Sequence, residues 1–149
     1  MATAADSELH VAAATGLRQV DQRYTAGRRV LVEVLDTASR PLSIPEILKQ
    51  RRPRLPQSSV YRNLGVLEQA GVVRRVVSTD EFTRYELAED LTSHHHHLVC
   101  SRCGNVEDFT PPPELERSVE RARTSMGAGV GFNADTHRLD FIGTCRDCA

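Results

Sequence analysis

An α+β fold in two halves is what this sequence predicts, and three observations predict it. Helix-period segments run from residue 26 to residue 70, a β-rich pair of segments follows at 72–87, and the rest returns to short strands around one helix, punctuated by two Cys-x-x-Cys pairs. A length of 149 residues, 40% hydrophobic and 26% charged, suits a soluble chain with one ordinary core or two small ones. No apolar run approaches the ~20 residues of a membrane span. The start, MATAADSELHVAAATG, has neither a basic leader nor a long apolar core, so a cytoplasmic protein with no membrane partner is expected.

The net charge of -1 conceals an asymmetry. Residues 1–79 hold 12 Arg and Lys against 7 Asp and Glu, whereas residues 80–149 hold 7 against 13. A basic half beside an acidic half fits nucleic-acid contact by the first and a different task for the second.

In the first half, TAGRRVLVEVLDTAS places Val30, Leu31, Val34 and Leu35 on one helical stripe with Thr25 as N-cap. SIPEIL sets Ser43 three residues before Glu46, the spacing of a capping box, with Pro45 in the first turn and Ile47 and Leu48 inward. LPQSSVYRNLGVLEQAGVV gives a third helix, capped by Ser58 or Ser59, buried through Val60, Leu64, Leu67 and Ala70, and closed by Gly71. Its polar face carries Gln57, Ser59, Tyr61, Arg62 and Asn63, groups suited to base edges and phosphates. VVRRVVS and TRYEL, separated by the polar turn TDEF, read as a hairpin. Three helices and then a hairpin is the order of a winged helix-turn-helix.

In the second half, HHHHLVC reads as a strand returning through a Cys-Gly knuckle into NVEDF. The proline run at 111–113 leads into an amphipathic helix with Leu115, Val119, Ala122 and Met126 toward the sheet, and DTHRLDFIG supplies a third strand ending at CRDC. Cys100, Cys103, Cys145 and Cys148 offer the four thiolates of a closed tetrahedral zinc site. The 41 residues between the pairs exceed the roughly 15–20 of a zinc ribbon, so the ion would staple the end of the domain to its first strand. The competing reading, redox-active dithiols, lacks the helix N-terminus that lowers a catalytic thiol's pKa.

Strand side chains alternate faces, so His94 and His96 project to one side and His95 and His97 to the other. One run can therefore feed two further sites: His94 and His96 with His137 and either Glu116 or Glu114, and His95 and His97 with Asp108 and Glu86. Glu86 ends the hairpin, so an ion held there would fix the angle between the halves. A zinc hydrolase is the reading from another class; no H-E-x-x-H helix is present.

Over nearly its whole length the chain resembles the ferric uptake regulator family of bacterial metal-dependent repressors. The stretches that carry the resemblance are RYTAGRRVLVEVL, SSVYRNLGVLEQAGVV, RYEL, HHHHLVC, the C-x2-C-G-x-V-E-D-F run and THRLDFIGTCRDC. It implies a winged-helix DNA-binding domain at 1–87, a hinge at 88–93 and an α/β dimerisation domain with a three-stranded sheet at 94–149. The implied protein is a homodimeric repressor of metal-homeostasis genes on double-stranded, inverted-repeat operators. The cysteines match a structural zinc site; His94, His96, Glu116 and His137 match a dimerisation-domain site; Glu86, His95, His97 and Asp108 match the interdomain sensing site, for zinc or iron. Tyr61 and Arg62 match DNA-contacting positions, with Arg23 and Arg28 as helpers. The chain departs from the pattern at Pro41, where iron-type members bring a histidine and His10 is the remaining N-terminal imidazole, and at Arg74, where zinc-type members bring an aspartate. His96 leans toward zinc and Glu86 toward iron. An iron-dependent peroxide-sensing repressor of the same fold is the alternative the resemblance implies.

Overall fold

The computed structural model describes residues 4–50 and 55–149. It begins with a helix absent from the sequence expectations, α1 (Ala4–Gln19). The segment is rich in alanine, the best helix former, and Ala13 and Leu17, four residues apart, are fully buried in the core. Alanine contributes little to a hydrophobic stripe, so periodicity does not announce this helix.

Thr25 caps α2 (Ala26–Thr37) through the Arg28 amide, as expected. The buried stripe is Arg28, Leu31, Val32 and Leu35, while Val30 and Val34 are half-buried, so the helix is rotated slightly from its expected face. A short strand that the sequence reading omits, β1 (Leu42–Ser43), precedes α3 (Ile44–Lys49). The expected capping box is present: Ser43 Oγ accepts from Glu46 N, and the Glu46 carboxylate accepts from Ser43 N at 2.7 Å. In α4 (Gln57–Gln69), Val60, Leu64 and Leu67 are buried. Neither Ser58 nor Ser59 caps it; Pro56 leads the helix with its ring-fixed φ, and its carbonyl accepts from the Ser59 and Val60 amides. Gly71 closes it at φ +68, left-handed backbone that a side chain would strain.

The expected hairpin forms from β2 (Val73–Val76) and β3 (Arg84–Leu87), and β1 joins it in the order β1-β3-β2. Leu17, Leu31, Val32, Val60, Leu64, Leu67, Val72 and Leu87 make the core between helices and sheet. Each such side chain contributes roughly 1.5–3 kcal/mol relative to exposure, so the stability of this half resides there. This is a winged helix.

After a 3-10 turn at Glu89–Leu91, β4 (His96–Cys100) pairs antiparallel with β5 (Val106–Phe109). The chain then crosses through α5 (Pro113–Gly129) to β6 (Asp140–Gly143), which pairs with β4 in parallel. The third strand is shorter than expected, leaving His137 and Leu139 outside it, and the histidine run enters its strand only at His96. The α5 stripe does not pack on the sheet as expected: Leu115 and Val119 are half-buried, and Ala122 and Met126 are exposed. Its apolar side chains are few among charges, and the sheet residues Leu98, Phe141 and Ile142 are likewise left 43%, 49% and 68% exposed.

The wing meets the second sheet. Val76 of β2 is buried against Val99 and Val106. Ser78 Oγ donates to the Gly104 carbonyl and Thr79 Oγ1 to the Cys100 carbonyl, each at 2.6 Å. No helix among the described residues is long and apolar enough to cross a membrane.

Candidate metal centres and nucleic-acid interface

The knuckle after β4 and the 3-10 turn at Arg146–Cys148 bring Cys100, Cys103, Cys145 and Cys148 together, with sulfurs all within 4.8 Å of one another. Cys103 Sγ and Cys145 Sγ are 3.7 Å apart. Zinc–sulfur bonds of about 2.3 Å place the sulfurs of a tetrahedron about 3.8 Å apart, so the cage has the right size. Backbone N–H groups, first that of Cys103 and then those of Cys145 and Arg102, hold the Cys100 thiol down at about 6, while the sulfurs of Cys145 and Cys103 push Cys148 up to about 12. Four sulfurs competing for negative charge in one place are what a divalent cation relieves. The cysteines are free thiols.

The alternation expected of the histidine run holds. On one face His94, His96 and His137 surround Glu116, their Nε2 atoms 3.1, 3.0 and 2.9 Å from its carboxylate oxygens. Glu114 instead pairs weakly with Arg117 at the surface, so Glu116 is the carboxylate brought to this cluster. His94 Nε2 and His137 Nε2 are buried yet make no hydrogen bond despite their proximity to Glu116. Buried imidazole nitrogens left without a hydrogen-bond partner, within 4.8 Å of the other ligand atoms of the cluster, are groups that a bound cation would satisfy. Burial pushes the Glu116 carboxyl up, but the His96 bond and the imidazoles of His94 and His137 outweigh it and hold it below the usual range.

On the other face, Glu86 of β3 meets His95, His97 and Asp108. Glu86 Oε2 lies 3.2 Å from His95 Nε2 and 3.0 Å from His97 Nε2, and Asp108 lies 3.9 and 3.7 Å from the same two nitrogens. Glu86 and His97 are 6% and 4% exposed, so water does not screen them. His95 Nδ1 donates to the Ser93 carbonyl at 2.8 Å, which leaves Nε2 as the lone-pair nitrogen of a neutral ring. That lone pair and the Glu86 oxygen are both acceptors, so a proton or a metal must stand between them. Burial raises the Glu86 carboxyl, but the bond and charge of His97, the charge of Arg74 and the bond to His95 overcome it and hold it at about 2. Burial lowers the His95 imidazole, and the Ser93 carbonyl and Glu86 more than reverse it. Burial raises the Asp108 carboxyl, and its Oδ1 has no hydrogen-bond partner. Both imidazole clusters therefore fit a divalent cation.

Three neighbours of these clusters escape a reading by motif. Asp140 Oδ1 stands 3.4 Å from His97 Nδ1, Glu89 bonds the His94 ring, and Arg74 Nε donates to Glu86 Oε1 at 2.5 Å. The hairpin register pairs Arg74 with Glu86 and so held the signal for the last of them. His10 belongs to none of the clusters; its Nδ1 lies 2.6 Å from Tyr24 Oη.

On the first half, Gln57, Tyr61 and Arg62 stand exposed on α4, Tyr61 by 55%, with Ser59 and Asn63 half-buried beside them. Arg23 is exposed. Arg28, expected beside it on the surface, is turned inward instead. It donates to the Arg23 carbonyl at 2.5 Å, to Gln22 Oε1 at 2.9 Å and to Asn63 Oδ1 at 3.4 Å, so its charge braces α2 against α4.

A winged helix whose last strand lends a carboxylate to an imidazole cluster on a second module defines a class: the metal-responsive winged-helix regulators. The chain belongs to the ferric uptake regulator family, whose model matches residues 19–142. It is 34% identical over 137 residues to the ferric uptake regulation protein of Campylobacter jejuni, covering 89% of this chain and 83% of that one. It is 30% identical over 135 residues to the peroxide-responsive repressor PerR of Staphylococcus aureus, covering 89% and 86%. Among solved structures, the Helicobacter pylori ferric uptake regulator Fur, described as having three functional metal-binding sites, superposes with a TM-score of 0.74 at 23% identity, covering 96% of this chain and 93% of that one.

Proposed function

We propose that this chain is a homodimeric, metal-activated transcriptional repressor that controls metal-homeostasis genes through inverted-repeat operators. Residues 1–87 form the reading head, 88–93 the hinge and 94–149 the pairing module. The observation that carries the reading is that Glu86 leaves the wing to meet His95, His97 and Asp108 of the other half, so one ion held by all four fixes the two halves relative to each other. A metal supplies here a strong bond between modules and no covalent chemistry. The protein's own groups do the rest: Ser93 sets the His95 tautomer, and Asp108 and Glu86 balance the ion's charge.

The cysteine cage takes structural zinc, and the cluster of His94, His96, Glu116 and His137 takes a second ion that ties α5 to β4. Gln57, Ser59, Tyr61, Arg62 and Asn63 face the DNA, with Arg23 beside them and Arg28 bracing the helix from within. Pairing is supported by the apolar residues that one copy leaves uncovered, among them Leu98, Phe141 and Ile142. In the dimer, two copies of α4 enter successive major-groove faces about 34 Å apart. Driving the hinge from 1:99 to 99:1 requires about 5.5 kcal/mol of differential metal affinity.

A mobility-shift titration on an inverted-repeat promoter fragment tests this. Metal-loaded protein is expected to bind far more tightly than chelated protein or His97→Ala, and equal binding by all three would overturn the switch. The relation to PerR supports a second reading, oxidation of a histidine in the run by peroxide in iron-loaded protein. A mass gain of one oxygen atom confined to residues 94–97, with release of DNA, would select it.

A further inference from the structure

The interdomain cluster has a cationic neighbour that the proposed function does not use. Arg74 stands opposite Glu86 across the hairpin, and its Nε holds Glu86 Oε1 at 2.5 Å. Its Nη1 lies 3.6 Å from Glu89 Oε2, so the guanidinium is anchored between two carboxylates. Only the other Glu86 oxygen, Oε2, faces His95 and His97.

We propose that Arg74 sets the metal specificity of this site by occupying one oxygen of Glu86, which leaves four donors for the ion and favours zinc over ions that take six, such as manganese. This rests on the reading of the cluster as a metal site. The donors are Nε2 of His95, Nε2 of His97, Oε2 of Glu86 and an oxygen of Asp108, whose Oδ1 is buried without a partner. Four donors that include two imidazoles satisfy tetrahedral zinc, whereas manganese favours six oxygen-rich donors. Two carboxylates already balance a divalent ion, and the fixed charge of Arg74 opposes recruitment of more anionic donors. A guanidinium held at both ends does not yield its oxygen as a flexible ammonium would.

The test uses the full chain with its cysteine cage loaded with zinc. Cobalt(II) is titrated in, and the difference in visible spectrum between the parent and His97→Ala isolates this site. The parent is expected to give the intense bands of four-coordinate cobalt. Arg74→Met is expected to give the weak bands of a higher coordination number and to lower the zinc-over-manganese preference about tenfold or more, the scale on which neighbours of metal ligands act. Manganese binding is followed by electron paramagnetic resonance and zinc by competition with a chromophoric chelator. If Arg74→Met does not fold, Glu89→Gln, which frees the far end of the same guanidinium, should move both readouts the same way by less. Each is taken as the difference from Glu89→Gln combined with His97→Ala, because Glu89 also bonds His94 of the other cluster. A weak parent spectrum, or a folded Arg74→Met with the parent's spectrum and preference, overturns the role of Arg74 alone. Cobalt binding unaffected by His97→Ala overturns the metal site itself, and the role of Arg74 with it.

Discussion

Replacing Gly104 with alanine tests how firmly the wing is docked on the cysteine knuckle. Gly104 holds φ +71, and a Cβ there would lie 2.2 Å from Asp80 Cγ and 2.3 Å from Asp80 Oδ2. Left-handed backbone costs an ordinary residue about 1–2 kcal/mol. The collision adds to this, and two escapes compete. Asp80 can swing aside only by abandoning Arg84, to which its two oxygens are bonded at 2.6 and 2.8 Å. Arg84 is 5% exposed, and stripping a buried charge of its partner costs about 3–5 kcal/mol. Backing only the wing tip at 78–80 away, with Val76 still packed on Val99 and Val106, loses the Ser78 and Thr79 bonds to the knuckle, about 1 kcal/mol apiece. Retreat of the wing is cheaper, and the docked arrangement loses roughly 3–4 kcal/mol, a few hundredfold in population. The assay is hydrogen exchange of the segment 73–87, with bound zinc measured in parallel. Faster exchange in the wing at unchanged zinc content is expected; exchange as slow as in the parent would refute the reasoning. Gly65→Ala is the control, since nothing lies within 4 Å of a Cβ there, and it should stabilise α4 by about 1 kcal/mol.

Other outcomes follow from the same geometry. Glu86 is held at about 2 against an ordinary 4.5, so its contribution to the metal-free fold is present above the ordinary value and disappears as pH falls toward 2. That contribution is about 3 kcal/mol, and urea midpoints across this range should fall steeply in the parent and less in Glu86→Gln. His95 is shifted up, so its contribution is full below its ordinary value of 6.5 and is lost as pH rises through the folded value. Cys148→Ser leaves three sulfurs and an unclosed loop; zinc should pass to EDTA and the melting temperature should drop, whereas retained zinc would argue against a four-sulfur cage. Arg28→Met should lower the unfolding free energy, read from urea titration, by on the order of 1.5–3 kcal/mol through its lost charged hydrogen bonds. Arg62→Ala should leave stability unchanged and reduce the salt dependence of operator binding by about one phosphate contact.

Much of the site could be read in advance because its determinants are local. The alternation of strand side chains sorts four consecutive histidines onto two faces with no knowledge of what lies beyond, and the Ser43–Glu46 capping box needs three residues of spacing. The alanine-rich α1 and the two-residue β1 left no such trace, since one lacks a bulky stripe and the other exists only because β3 lies beside it. By itself the sequence determined which side chains could ligate and how the histidines divide between two faces of the strand. Only the tertiary structure decided that Glu116 rather than Glu114 lies among His94, His96 and His137, that Arg28 faces inward, and that Arg74 lies against Glu86. Those outcomes depend on contacts between residues far apart in the chain, where helix rotation, crossover geometry and burial determine which of several similar groups arrives.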